Sequence, residues 1–194
     1  MITRSVFAMV AAVVTAALAG CASMEPTVPA SAFYLNSPGM ADNTMLDRKY
    51  AGNVAKNPNC LGQNVSPALA WRNVPDKTRS FVILWDDQAG RSGLGVSHAI
   101  VYGIPASVNA FAEGDLSAAP TAGRFVAGKN TVGLAWLGPC PPHGNAPQHY
   151  VMTIIATDLE PDALQPGLSR EEVLKALQGG HALRAASAVF RYAH

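Results

Sequence analysis

Runs of apolar and β-branched residues, closed at intervals by glycine, proline or asparagine, divide the chain into short extended segments. The clearest are residues 80–85, 97–104, 150–158 and 186–192, and each predicts a strand. One stretch carries a helical pattern instead. Ser169 followed by Glu172 has the spacing of a capping box, Val173, Leu174 and Leu177 supply an apolar face, and Gly179 supplies the stop. Residues 138–150 fit neither period: four prolines fix φ and remove backbone donors, so this stretch predicts a stiff irregular loop feeding the strand that follows. A rigid loop mounted on a core strand can hold polar groups still at the mouth of a pocket. The same residues would also serve as a surface connection with no ligand.

Composition sharpens this picture. Of 194 residues 49% are hydrophobic and only 14% charged, with 17 glycines and 14 prolines, which favours a turn-rich β architecture over a helical bundle. The 14 lysines and arginines against 13 aspartates and glutamates give no basic footprint for a phosphate backbone, so nucleic acid is not an expected partner. Residues 1–20 have Arg4, then an apolar run over 6–19 broken only by Thr15. Fourteen residues rise about 21 Å as a helix, short of a hydrocarbon core of about 30 Å, so this is an export signal and not a span. Leu18-Ala19-Gly20-Cys21 resembles the bacterial lipoprotein cleavage box, which makes Cys21 the expected lipidated N-terminus. Ala22 after it suggests sorting to the outer membrane, with the domain in the periplasm or at the cell surface. Residues 21–32, with Pro26 and Pro29, read as a flexible tether, and 33–194 as one domain. Cys60 and Cys140 remain as an even pair in an oxidising compartment, and a disulfide between them is expected, contributing roughly 4 to 5 kcal/mol in the chain-entropy model.

Two catalytic signatures nearly match and fail. Gly123 through Gly128-Lys129-Asn130 has the Walker spacing, but Asn130 stands where the magnesium-binding hydroxyl belongs, and no helix pattern follows. Gly95-Val96-Ser97-His98-Ala99 approaches a nucleophile elbow, yet adjacent strand residues point to opposite faces, so Ser97 and His98 do not form a dyad. No clustered Cys and His spacing for structural zinc exists after the leader, and neither metal nor cofactor is expected. Asp86-Asp87 closes one predicted strand and His98 lies near the start of the next, so a hairpin can bring a carboxylate and an imidazole together. A turn-capping aspartate and a satisfied, partly buried histidine explain the same residues.

Taken in order, these segments resemble the phosphatidylethanolamine-binding protein family, in its bacterial Raf-kinase-inhibitor-like branch, over residues 33–192. Asn64-Val65-Ser66-Pro67-Ala68-Leu69-Ala70-Trp71 is similar to the family's Asn-x-Ser-Pro-x-Leu-x-Trp segment, and Gly138-Pro139-Cys140-Pro141-Pro142 to its proline loop. The resemblance implies two antiparallel sheets in a Greek-key arrangement with peripheral helices, and a small pocket for phosphate-like anions or phospholipid head groups. The family pocket uses an Asp-Pro-Asp-x-Pro turn, a Trp-x-His-Trp strand, the proline loop and a His-Arg-Tyr strand. Here the turn keeps only its leading Asp86, the second strand keeps His98 and loses both tryptophans, and the last strand reads Gln148-His149-Tyr150, with Gln148 at the family's histidine position.

The pocket carried over by resemblance therefore comprises Asp86, His98, Cys140 through its backbone, Gln148 and Tyr150, walled by Pro141, Pro142 and Trp136. Asp86 is expected to orient His98. Losing one protonatable histidine weakens the hold on a doubly charged anion, since charge-assisted bonds are roughly twice as strong as neutral ones. Losing the family's tryptophan walls is expected to open the pocket to water. The function expected is a non-enzymatic, membrane-anchored binding protein for a small anionic or polar ligand. The alternative, from another class, is a protein-interaction module that inhibits a protease or kinase-like partner through its surface.

Overall fold

The computed structural model describes residues 27–118, 124–133 and 135–194. The expected export signal and Cys21 lie outside the described residues. Two sheets form the body. Strands β1 (Tyr34–Asn36), β3 (Leu69–Arg72) and β6 (Ala110–Phe111) make a small sheet in the order β1-β3-β6. The larger sheet joins β2 (Thr44–Met45), β9 (Ala182–Tyr192), β8 (Gln148–Thr157), β4 (Ser80–Asp87), β5 (Val96–Pro105) and β7 (Val126–Ala127) in the order β2-β9-β8-β4-β5-β7, antiparallel throughout except for the short β2–β9 pair.

β4 sits centrally because its sequence, Ser-Phe-Val-Ile-Leu-Trp-Asp-Asp, is apolar on both faces over most of its length. Phe81, Ile83 and Trp85 point into the core between the sheets, where they meet Phe33, Leu35, Trp71, Phe111 and Met152. Val82 and Leu84 point the other way, into a second cluster with Ile100, Tyr102, Ile155, Val173 and Leu177. That second cluster is covered by the helix Arg170–Ala176. The helix begins as its sequence predicts: Glu172 N–H donates to Ser169 Oγ at 3.3 Å, and Ser169 N–H donates to Glu172 Oε2 at 2.8 Å. Gly179 and Gly180, both at positive φ, turn the chain into β9.

All four predicted strands are present, each extended by up to four residues at an end. Part of the expected tether is fixed to the domain: Asn73 Nδ2 donates to the carbonyls of Ala30 and Ala32 at 2.5 and 2.8 Å. Cys60 and Cys140 are joined by a disulfide.

Candidate functional site

At the end of β4 the register with β5 steps by one: Trp85 faces Ala99, whereas Asp86 faces Ser97. His98 is thus an additional residue on β5, and a bulge of this kind re-aims a side chain. Strict alternation would place it with Ile100 and Tyr102 under the helix; instead its ring lies in the core between the sheets, 5.9 Å from Trp85 and 5.2 Å from Tyr150. It is 3% exposed. The segment Trp136–Leu137 continues the edge of β5 here, through a bridge between Ala99 and Trp136 and a 2.9 Å bond from Leu137 N–H to the His98 carbonyl. His98 Nδ1 lies 3.0 Å from the Leu137 carbonyl, and because a carbonyl only accepts, the proton sits on Nδ1. Among the described residues no hydrogen bond of ordinary length reaches Nε2 of the neutral ring. Burial lowers the pKa of His98, and neither the Leu137 bond nor the nearby carboxylate of Asp87 offsets that.

The carboxylate facing this ring is Asp87, and the expectation for Asp86 is corrected. Phe81, Ile83, Trp85 and Asp87 share the inner face by strand alternation, which sends Asp86 to the outer face with Leu84. There Asp86 Oδ2 accepts from Arg170 Nε at 3.1 Å. Asp87 is 2% exposed, and its Oδ1 accepts from the N–H groups of Ala89 and Gly90 at 2.9 and 3.1 Å. Burial raises its pKa, against the pull of those two bonds and of His98. Asp87 also acts on Tyr150, whose hydroxyl is pushed well above its ordinary value, first by burial and then by that carboxylate.

Gln148 and Tyr150 lie on the same face of β8, with the Tyr150 hydroxyl donating to Gln148 Oε1 at 3.3 Å, while His149 between them is exposed. Trp136 packs on Trp85 with ring centroids 4.4 Å apart. The two tryptophans supply an apolar wall, Trp85 from β4 and Trp136 from the segment bridged to β5, in place of those of the family pattern, and they leave His98 only slightly exposed. Trp85 and Asp87 are the residues that sequence reading missed; the alternation along β4 is the signal that carries both.

The proline loop closes the group from above. Gly138 N–H donates to Asn64 Oδ1 at 2.7 Å, and Gly52 N–H donates to the Pro139 carbonyl at 2.9 Å. Both glycines are required by close approach: a Cβ on Gly138 would lie 2.1 Å from the Tyr50 carbonyl, and one on Gly52 would lie 2.4 Å from Cys140 Sγ. The Asn64-x-Ser66-Pro67 segment is thereby explained as scaffolding, since Ser66 Oγ in turn accepts from Leu116 N–H at 3.1 Å. Pro141 is buried, Cys140 is half-buried, and Pro142 faces solvent. Among the described residues no three of His, Cys, Asp and Glu gather as a metal site would require.

Comparison with known proteins agrees with this architecture. The family model described as phosphatidylethanolamine-binding protein matches residues 36–193. The UPF0098 protein of Aquifex aeolicus is 32% identical over 150 residues, covering 76% of this chain and 86% of that protein. That of Methanothermobacter thermautotrophicus is 34% identical over 146 residues, covering 73% and 91%. The crystal structure of Escherichia coli YbcL, described as a member of the mammalian PEBP family, superposes with a TM-score of 0.72 at 25% identity, over 84% of this chain and 98% of YbcL. With that match over most of its length, and with two sheets enclosing a histidine beneath a proline loop, the chain belongs to the phosphatidylethanolamine-binding protein family.

Proposed function

We propose that this family member is a non-enzymatic, membrane-anchored binding protein whose site receives a small anionic or polar group, such as phosphate or a phospholipid head group, at His98. The observation that carries this reading is the imidazole itself: buried near Asp87 and Tyr150, held at Nδ1 by the Leu137 carbonyl, and with no hydrogen bond to Nε2 among the described residues. A neutral Nε2 only accepts, so an anion bound there brings a proton with it. Asp87, with its raised pKa, is the second group able to take up a proton when negative charge enters. Binding of phosphate should therefore strengthen as pH falls from 8 towards 6.

The binding reading is favoured over hydrolysis because, among the described residues, the Ser97 hydroxyl has no hydrogen-bond partner and so is not paired with the His98 imidazole. Anchoring rests on the lipoprotein box before Cys21.

Two measurements test the proposal. Titration of the His98 ring by NMR with phosphate or phosphoethanolamine should raise its pKa and shift Tyr150; no change at either residue between pH 6 and 8 overturns the pocket. Radiolabelled palmitate should label the wild-type chain and not Cys21→Ser, and equal labelling of both overturns the anchor.

A further inference from the structure

A second cleft lies on the outer face of the same strands, separate from the His98 group. It has a volume of about 420 Å³ and is bounded by the ends of β4 and β5, the turn Gly90–Gly93, the stretch after β7, and the start of the helix. Three cations line it. Arg170 is already paired with Asp86. Arg91 and Lys129 are exposed and, among the described residues, neither makes an ion pair. Glu172, which senses Lys129, is committed to the Ser169 cap. Asp86, Asp87 and Glu171 balance the three cations in formal charge, but Asp86 is held by Arg170 and Asp87 by the Ala89 and Gly90 amides, so Arg91 and Lys129 face the cleft unpaired.

The floor is made of hydroxyls. Ser97, directly across from Asp86, has its Oγ buried with no hydrogen-bond partner among the described residues. Thr131 Oγ1 accepts from Ser97 N–H at 2.8 Å, which leaves its own proton to be donated. A buried hydroxyl without a partner is the exception in folded proteins and calls for a group to bond it. The turn presenting Arg91 is itself strained, with Arg91 and Ser92 both left-handed at φ 51° and 60°, a conformation non-glycine residues seldom adopt in succession.

We propose that this cleft is a second binding site, for a small hydroxylated anion of the sugar-acid or polyol-phosphate class. Arg91 and Lys129 take its carboxylate or phosphate, and Ser97 and Thr131 bond its hydroxyls. Lys129, the lysine of the failed Walker spacing, here has a role that needs no nucleotide. The site is independent of the ligand proposed at His98, because the two lie on opposite faces of the sheet.

The test is titration of the full-length chain at pH 7.5 and low salt with D-glycerate and, separately, with glycerol 3-phosphate, followed by calorimetry and by the amide signals of Ser97, Lys129 and Thr131. At least one probe should bind saturably and shift those signals; glycerate alone assigns a carboxylate ligand, and glycerol 3-phosphate alone a phosphate one. Arg91→Gln and Lys129→Gln should each weaken binding about tenfold, Ser97→Ala should weaken it less, and His98→Asn should leave it unchanged. Both substituted cations are exposed, so the fold is not at risk. The proposal is overturned if neither probe saturates, if the binding seen in His98→Asn survives the further changes Arg91→Gln and Lys129→Gln, or if His98→Asn alone abolishes it.

Discussion

At the scale of single residues, the site turns on which of two adjacent aspartates faces inward. Asp87→Asn keeps an oxygen for the Ala89 and Gly90 amides and removes the charge that favours protonated His98. We expect the His98 pKa to fall further in that variant and to move far less in Asp86→Asn, as read by NMR of the imidazole. The pH dependence of stability follows with opposite signs for the two groups. His98 has a depressed folded pKa, so its contribution is intact above about 6.5 and is lost as pH falls through that value, where the unfolded chain binds the proton first. Asp87 has a raised folded pKa, so its contribution is present below about 3.8 and is lost as pH rises through the folded value. Urea midpoints of Asp87→Asn should therefore climb steadily between pH 5 and 7.5, and a second change, His98→Asn, should flatten that climb. Of this pair the histidine was legible in the sequence through the family pattern. The inward aspartate is not legible in the family motif, which aligns Asp86; the alternation Phe81, Ile83, Trp85, Asp87 decides the orientation. The bulge that admits His98 leaves no mark in composition, since it arises from the pairing of β4 with β5.

Elements were legible in proportion to their length. Strands β4, β5, β8 and β9 run eight to eleven residues and announce themselves; β1, β2, β3, β6 and β7 have two to four residues and are defined by their partners more than by their own pattern. The helix was legible from its cap. Seven residues are too few for a helix to persist alone, so it depends on Val173 packing under it and on Ser169 at its start. Ser169→Ala should lower global stability by about 1 kcal/mol, measured by urea unfolding, and should speed hydrogen exchange in that helix first. In the proline loop, Gly138→Ala sets a methyl group against the Tyr50 carbonyl. The loop must shift, and we expect a loss of about 1–3 kcal/mol together with altered signals at Tyr150 in the NMR spectrum.

For the whole molecule, the disulfide is the long-range tie. Cys60 and Cys140 stand 80 residues apart in sequence, and the bridge fastens the proline loop to the segment following the short 3-10 turn Arg48–Tyr50. Chain entropy sets an upper bound of about 4–5 kcal/mol for such a loop, so reduction should lower the melting temperature markedly, and Cys60→Ser/Cys140→Ser should show the same loss without reductant. The pairing was legible because only two cysteines follow Cys21; the seating of Cys140 against Gly52 was not, since it depends on two loops converging. A further consequence lies in β4 itself. A strand is the thinnest partition a protein can raise, a single backbone thick, and here Asp86 and Asp87 hang from its two sides with one peptide plane between them. A guest on either side will perturb magnetic shielding on the other without touching it, so spectral movement at Tyr150 or at Ser97 reports that something has arrived; which side it occupies must be decided by substitution.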